Sequence, residues 1–404
     1  MSPLPRLFLH IGHPKTGTSS IQSFLATQRT VLQKHGVYVP RTGWIAGAHH
    51  GLTENFFSVR RLPSQSAVHC LALQRELAGI QAPTVVLSSE AFIQENPARL
   101  AALFRPRFDV FIVYYVRRQD LAAQSVYAQR VRSEIQRECG TLSEKLYDFI
   151  PRYRFHLDRF AAVFGTDHCL LRPFETSAFV GGTLIGDFLS LLGLSSDLLP
   201  FQDERRNTAL KRPYLAFRRQ TNILPLLVEE HRALGRALDA LSQADPTPWP
   251  RHLLSAEERL AILHRCAEEN TWLARTYKGS ADGTLFRDPL PSPDDPWAPL
   301  GPLEPDLQHR ILDALPAEIR ELLEFLDRKI RLRQPGQPFL PEWPSDQVLQ
   351  QRLLDQRELT ILQRRIARLE LAQAQSPPLP PQPSPLWKQG WKRLKGRIRC
   401  FFRR

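Results

Sequence analysis

Two stretches of the chain, "TVVLSSE" at 84–90 and "FDVFIVYYVR" at 108–117, are almost unbroken apolar runs. Runs of that length with little polar alternation suit strands buried on both faces, as in a parallel sheet covered by helices. Shorter runs of the same kind stand at 7–12 ("LFLHIG"), 37–40 ("VYVP") and 168–175 ("HCLLRPFE"). The segments between them carry helical spacing. In 19–35, Ile21, Phe24, Leu25, Gln28 and Leu32 fall on one face, and Gly36 follows as a C-cap. A helical stretch runs to about residue 80, and 120–135 and 143–164 read the same way. Strands alternating with helices predict an α/β fold: a three-layer parallel sheet with flanking helices.

Beyond residue 180 the strand signals stop. The expected organisation is a main domain over 1–295, with its α/β core at about 5–180 and a helical part at about 180–295. A helical C-terminal extension at 296–332, a linker at 333–345 and a long amphipathic helix at 346–375 follow. In that helix Leu359, Leu362, Ile366 and Leu369 form a seam of two heptads, too short to argue a coiled coil but a surface through which copies could pair as a homo-oligomer. A Pro-rich spacer at 376–386 leads to a basic amphipathic tail at 387–404.

No apolar run approaches the 18 residues of a membrane span, and the start shows no signal-peptide pattern, so the cytoplasm is the expected location. Five widely spaced cysteines fit neither a disulfide framework nor a zinc pattern, and no metal is expected. The formal net charge is +13, but eight Lys/Arg lie in 387–404 with no acid among them, which leaves +5 for the rest. A mildly basic body suits a small anionic ligand and gives no argument for nucleic acid.

The first apolar run ends in Gly12-His13-Pro14-Lys15-Thr16-Gly17-Thr18-Ser19. Two glycines, a lysine and three hydroxyls between a strand and a helix make a phosphate loop. Backbone N–H groups of residues 16–19 and the helix N-terminus can cradle a phosphate there. In a nucleotide-hydrolysing P-loop the lysine immediately follows the last glycine. Here Lys15 precedes Gly17, which puts its charge over whatever bridges away from the bound phosphate.

"HPKTGTSSIQ", with "GVYVP" at 36–40, resembles the 5′-phosphosulfate loop of sulfotransferases that use 3′-phosphoadenosine 5′-phosphosulfate (PAPS), and specifically their bacterial, carbohydrate-type branch. "VYYVRRQDLAAQS" resembles the second signature of that family, a strand-end arginine with a serine eight residues on: Arg117 and Ser125. The arginine fork matches a phosphate, and the serine lies two helical turns along. The resemblance covers about residues 5–290. It implies the P-loop NTPase-like sulfotransferase fold, and PAPS as co-substrate without a metal. The 5′-phosphosulfate would be held by Lys15, Thr16, Gly17, Thr18 and Ser19, and the 3′-phosphate by Arg117 and Ser125. Ser20 stands where some relatives carry an aromatic for adenine, and Lys278 only echoes a late basic loop.

Sulfuryl transfer to an alcohol needs a base for the acceptor proton, in-line placement, and a donor for charge developing on the leaving oxygen. Lys15 suits the last role. Glu90 is the first candidate for the base, as the resemblance implies, and His50 in "AHH" the second. His49 reads as a surface residue and His13 as a loop-shaping or acceptor contact. Arg118 could trade roles with Arg117. Arg172, Arg205, Arg206 and Asn207 read as solvated or salt-bridged. The acceptor implied is a hydroxyl of a glycan or glycolipid. Competing readings are a nucleotide kinase or NTPase, and a non-catalytic membrane-associated nucleotide-binding module.

In the tail, Trp387, Trp391, Leu394, Ile398 and Phe401 share one helical face. With the basic residues elsewhere this reads as an interfacial helix on an anionic membrane, peripheral on its inner face.

Overall fold

The computed structural model describes residues 3–54, 56, 64–195, 209–224 and 226–331. The chain divides into one unit of 1–224 with 228–343 and a second of 225–227 with 344–404. The linker, the long helix, the spacer and the tail expected from 333 onward lie outside the described residues, as do Arg205, Arg206 and Asn207.

Five strands form one all-parallel sheet: β1 (Arg6–His10), β2 (Val37–Tyr38), β3 (Thr84–Ser88), β4 (Asp109–Val116) and β5 (Cys169–Pro173), in the order β2-β3-β1-β4-β5. The register aligns His10 with Ser88 on one side and with Val113 on the other, so β1, β3 and β4 carry their C-terminal ends to a common edge. β1 is central. The chain leaves it toward β2 at one edge, whereas it leaves β4 toward β5 at the other. Diverging connections of this kind open the crevice in which open α/β sheets bind ligands.

Both faces are covered, which is why the strand sequences show little polar alternation. On one face Phe8, Val86, Val113 and Tyr115 pack with helices α1 (Thr18–Thr27) and α2 (Arg29–Lys34). The opposite face carries Leu7, Leu9, Val85, Leu87, Ile112 and Tyr114. These meet α3 (Ser64–Ala78), α4 (Pro97–Phe104) and, after α5 (Gln119–Arg132), α6 (Tyr153–Phe164). The α/β three-layer expectation holds. The expected helix over 19–35 is divided at Gln28, whose backbone leaves helical geometry between α1 and α2. The expected helix over 143–164 is a 3₁₀ turn at Ser143–Phe149 followed by α6, because Pro151 lies between and cannot continue the first. Gly36 follows α2 at φ 77°, the left-handed geometry that closes a helix and turns the chain into β2.

The helical half continues with α7 (Leu184–Leu191), α8 (Arg212–Thr221), α9 (Val228–Ala244), α10 (Ala256–Arg265) and α11 (Ala267–Lys278). α12 (Pro305–Ala314) and α13 (Ala317–Arg331) end the described chain. α7 belongs to the sheet. Its Leu184, Ile185, Phe188 and Leu189 join the face of α1, while Asp187, 1% exposed, takes the Tyr115 hydroxyl at 2.7 Å and the Arg172 guanidinium from Nε at 3.0 Å. Arg172 is thereby salt-bridged, as its sequence context suggested. Asp187→Ala would leave that cation and hydroxyl without their acceptor. It should cost about 3 kcal/mol of unfolding free energy, the low end for a broken buried pair because Arg172 is partly exposed, measurable by urea denaturation.

Candidate active site

The loop between β1 and α1 turns on three left-handed residues, Gly12, Lys15 and Gly17, at φ 21°, 70° and 76°. Glycine is required at 17, where a Cβ would meet Phe174 at 2.8 Å. Lys15 holds the same region with a full side chain, a conformation that costs a non-glycine residue. Gly17 is the N-cap of α1 and has no side chain to cap it. The backbone N–H groups of Thr16, Gly17, Thr18 and Ser19 reach no backbone carbonyl among the described residues. Four consecutive donors at a helix N-terminus therefore remain for an anion.

The hydroxyls are divided. Thr16 is buried and its Oγ1 donates to the His13 carbonyl at 2.6 Å, holding the loop shape. Thr18 Oγ1 donates to Glu90 Oε1 at 2.5 Å, and Gln22, one turn along α1, donates to Oε2 at 2.8 Å. Of the three hydroxyls only that of Ser19 faces outward from an exposed residue. In this structure the Thr18 hydroxyl serves Glu90.

Two cations face this loop. Lys15 and Arg117 each lack a carboxylate partner among the described residues. Burial pushes the Lys15 ammonium pKa down, and the charges of Arg132 and Arg117 push it further. Burial likewise lowers that of the Arg117 guanidinium, against the pull of Tyr153 and Asp120. Like charges drawn together out of water need an anion between them. Arg117 is locked by its own backbone: its N–H donates to Tyr153 Oη at 3.1 Å, and its carbonyl accepts from that hydroxyl at 2.6 Å. Its neighbour cannot replace it. Arg118, 5% exposed, gives Nε to Asp120 at 2.8 Å and Nη1 to the carbonyl of Pro289 at 2.6 Å. Ser125 sits on α5 and Arg132 lies seven residues on, two turns along the same helical face, so the face that carries Ser125 carries a cation that acts on Lys15. Arg132 went unremarked in the sequence, although that seven-residue spacing was a usable signal.

Glu90 follows β3 directly. Burial opposes its ionisation, yet the hydrogen bonds from Thr18 and Gln22, its own N–H and the nearby His50 hold its pKa below the usual carboxylate value. It lines a cavity of about 760 Å³ together with His13, Arg130, Tyr147, Arg152 and His156. His50 is not part of that lining. Its ring stacks on Phe56 with centroids 5.1 Å apart, meets Ser89 Oγ through Nδ1 at 2.7 Å, and brings Nε2 to 3.9 Å from Glu90 Oε2. Ser89 Oγ also accepts from the Ala91 N–H at 3.1 Å; where its own proton goes to His50 Nδ1, the ring proton is on Nε2, the nitrogen nearer Glu90.

The other histidines are structural or line the cavity. His49 is wholly buried, not a surface residue: Nδ1 accepts from the Ser88 N–H and Nε2 meets the Pro40 carbonyl, each at 3.0 Å. His13 reaches the Pro14 carbonyl at 3.0 Å, packs edge-on against Tyr153 and lines the cavity. His156, four residues into α6, lines the same cavity, and its Nδ1 is buried with no hydrogen-bond partner among the described residues. Lys278 is exposed and makes no carboxylate bond among the described residues; partial desolvation, then the charges of Arg172 and Arg287, lower its pKa against the pull of Asp187 and Glu175.

No family model matches the chain. It is 26% identical over 200 residues to an uncharacterised protein of Archaeoglobus fulgidus, an alignment covering 48% of this chain and 54% of that protein. The chain thus spans about half the length of the curated relative it matches. Among solved structures it is similar to the crystal structure of a sulfotransferase from Alicyclobacillus acidocaldarius, at 21% identity over 60% of this chain and 96% of that one. The TM-score is 0.32, too low to establish a shared fold.

His10, His13 and His49 share one pH consequence. Burial is the main cause that pushes each down to about 4 from an ordinary 6.5. Between those values the unfolded chain binds protons that the folded chain refuses, so stability falls as pH drops from 6.5 toward 4. Each group contributes a slope of about 1.4 kcal/mol per pH unit in that window. Urea unfolding as a function of pH should show this acid loss, and His49→Gln should flatten the slope by about one group's share.

Proposed function

We propose that the chain is a sulfotransferase that moves a sulfuryl group from PAPS to a hydroxyl of a carbohydrate or glycolipid acceptor. One observation carries the reading: Lys15 and Arg117, two desolvated cations without a carboxylate among the described residues, lie about a glycine-turned loop whose four consecutive amides lack backbone acceptors. That cradle fits a doubly anionic nucleotide. The amides of residues 16–19, with the Ser19 hydroxyl, would hold the 5′-phosphosulfate, and Arg117 with Ser125 the 3′-phosphate. When bound, PAPS supplies an activated sulfur–oxygen bond to a good phosphate leaving group.

The residues then divide the work. Glu90, ionised and at the cavity rim, takes the acceptor proton as the new oxygen–sulfur bond forms. His50 steadies Glu90 from the side away from the cavity. Lys15 donates to the oxygen that leaves with the 5′-phosphate as its bond to sulfur breaks, so adenosine 3′,5′-bisphosphate departs. The cavity beside Glu90 is large enough for a sugar ring. A kinase or NTPase reading draws on one contact, the Glu90 carboxylate on Thr18, because such enzymes pair a carboxylate with a loop hydroxyl around magnesium. Against it, the lysine precedes the second glycine, whereas in such enzymes it immediately follows the last one.

Adenosine 3′,5′-bisphosphate should raise the melting temperature, with about 2.7 kcal/mol of stabilisation at 100 times its dissociation constant, and ATP with magnesium should not. The reverse result would transfer the site to nucleotide hydrolysis. With PAPS and a glycan acceptor, Lys15→Ala should lower kcat about 100- to 1000-fold. Arg117→Ala should bring the affinity for adenosine 3′,5′-bisphosphate down to that for adenosine 5′-phosphate. Glu90→Gln should cost 100-fold or more in kcat, and retained turnover would pass the base role to His50.

The tail at 387–404, outside the described residues, is proposed as a peripheral membrane contact on the strength of its sequence alone. No described helix is long and apolar enough to cross a membrane. Full-length protein should float with anionic liposomes and a chain ending at residue 375 should not. Equal behaviour of the two would remove the tail from the account.

A further inference from the structure

A second cavity, of about 370 Å³, is lined from α8 and α9 and from the end of α5. Four arginines converge on it, Arg132, Arg218, Arg232 and Arg236, against two acids, Glu134 and Asp239. The acids are committed. Asp239 takes Arg132 at 2.9 and 3.1 Å, and Glu134 takes Arg232 Nε with both oxygens at 2.9 Å. Two positive charges are left over.

Arg218 is the more telling of the two. It is 2% exposed, and its guanidinium bonds only to His231, through the carbonyl at 3.0 Å and through Nδ1. A ring nitrogen that accepts from a guanidinium is uncharged, so among the described residues no anion touches this buried cation. Gly235 lines the same cavity, and a Cβ there would lie 4.0 Å from Arg218 Nη2. Arg236, one turn further along α9 from Arg232, is exposed and makes no ion pair among the described residues. Burying a guanidinium without a counter-charge is costly unless an anion completes it. Arg132 ties this cavity to the phosphate loop, since its charge is one of the two that act on Lys15.

We infer that the arginine cavity binds an anionic group of the acceptor, so that the acceptor is a sugar already bearing a phosphate or carboxylate rather than a neutral one. Arg218 and Arg236 supply the uncompensated charge, and Arg232 lines the same wall. This inference rests on the sulfotransferase reading for the word acceptor, but not for the anion site itself.

The test is isothermal titration of the full-length protein with glucose 6-phosphate, glucuronate, glucose and inorganic phosphate, with and without saturating adenosine 3′,5′-bisphosphate. One or both of the anionic sugars should bind in either condition, and glucose should not. Arg236→Gln and Arg232→Gln, both at exposed positions, should weaken that binding about tenfold or more while leaving the affinity for the bisphosphate unchanged. Binding of neither anionic sugar, or binding indifferent to both substitutions, overturns the proposal. So does an equal fall in bisphosphate affinity, which would assign the cavity to the nucleotide. Inorganic phosphate binding as tightly as glucose 6-phosphate makes it a free-phosphate site and also overturns the acceptor role. Failure of the bisphosphate to bind at all, with anionic-sugar binding intact, would sink the sulfotransferase reading and leave the anion site standing.

Discussion

Asp120 is wholly buried and receives two arginines: Arg118 forks onto both oxygens at 2.8 and 3.1 Å, and Arg259 donates to Oδ2 at 3.0 Å. Arg259 continues to Asp295 at 2.8 Å, and Arg118 to the carbonyls of Asp288 and Pro289. One carboxylate thus joins the end of β4, helix α10 and the segment after α11. A buried charge of this kind cannot be left half-paired without a penalty of several kcal/mol, so the arrangement admits little slack. It also settles an ambiguity beside it. Of two adjacent arginines, Arg118 is consumed by structure, and Arg117, with its backbone clamped by Tyr153, keeps its guanidinium without a carboxylate.

The site is built from charges that the chain declines to neutralise. Several buried ions elsewhere are paired: Arg172 with Asp187, Arg99 with Glu95, Arg259 with Asp120. Around the loop they are not. Lys15 is held in a strained left-handed conformation beside Arg117, and the first amides of α1 have no cap. Strain, desolvation and unspent donors coincide at one edge of the sheet, and an anion answers all three. The carboxylate that does come near, Glu90, is kept for a different task by Thr18 and Gln22, which hold it ionised and tie β3 to α1.

Much of this was legible beforehand for a simple reason. Strands buried on both faces must be apolar throughout, so β3 and β4 announce themselves, and a phosphate loop needs glycine at fixed places, so Gly12 and Gly17 do too. Helix ends were less legible: nothing local separates α1 from α2 at Gln28, whereas Pro151 between the 3₁₀ turn and α6 was a visible breaker. The partners of the hydroxyls were not legible. Thr16, Thr18 and Ser19 look alike in sequence, but one closes the loop, one serves Glu90 and one faces outward, a distinction made only by which neighbours the fold brings near.

The amino-acid sequence by itself determined the layered parallel sheet and the loop with its early lysine, because each follows from local periodicity and backbone geometry. Tertiary structure alone decided which charges are paired. Glu90 and Gln22 are 68 residues apart, Arg118 and Pro289 171, and Arg218 finds His231 rather than an acid. Coulomb energy depends on distance through space and on burial, neither of which sequence separation records. Hence Arg117 and Arg118, or His49 and His50, could not be told apart until the chain was folded.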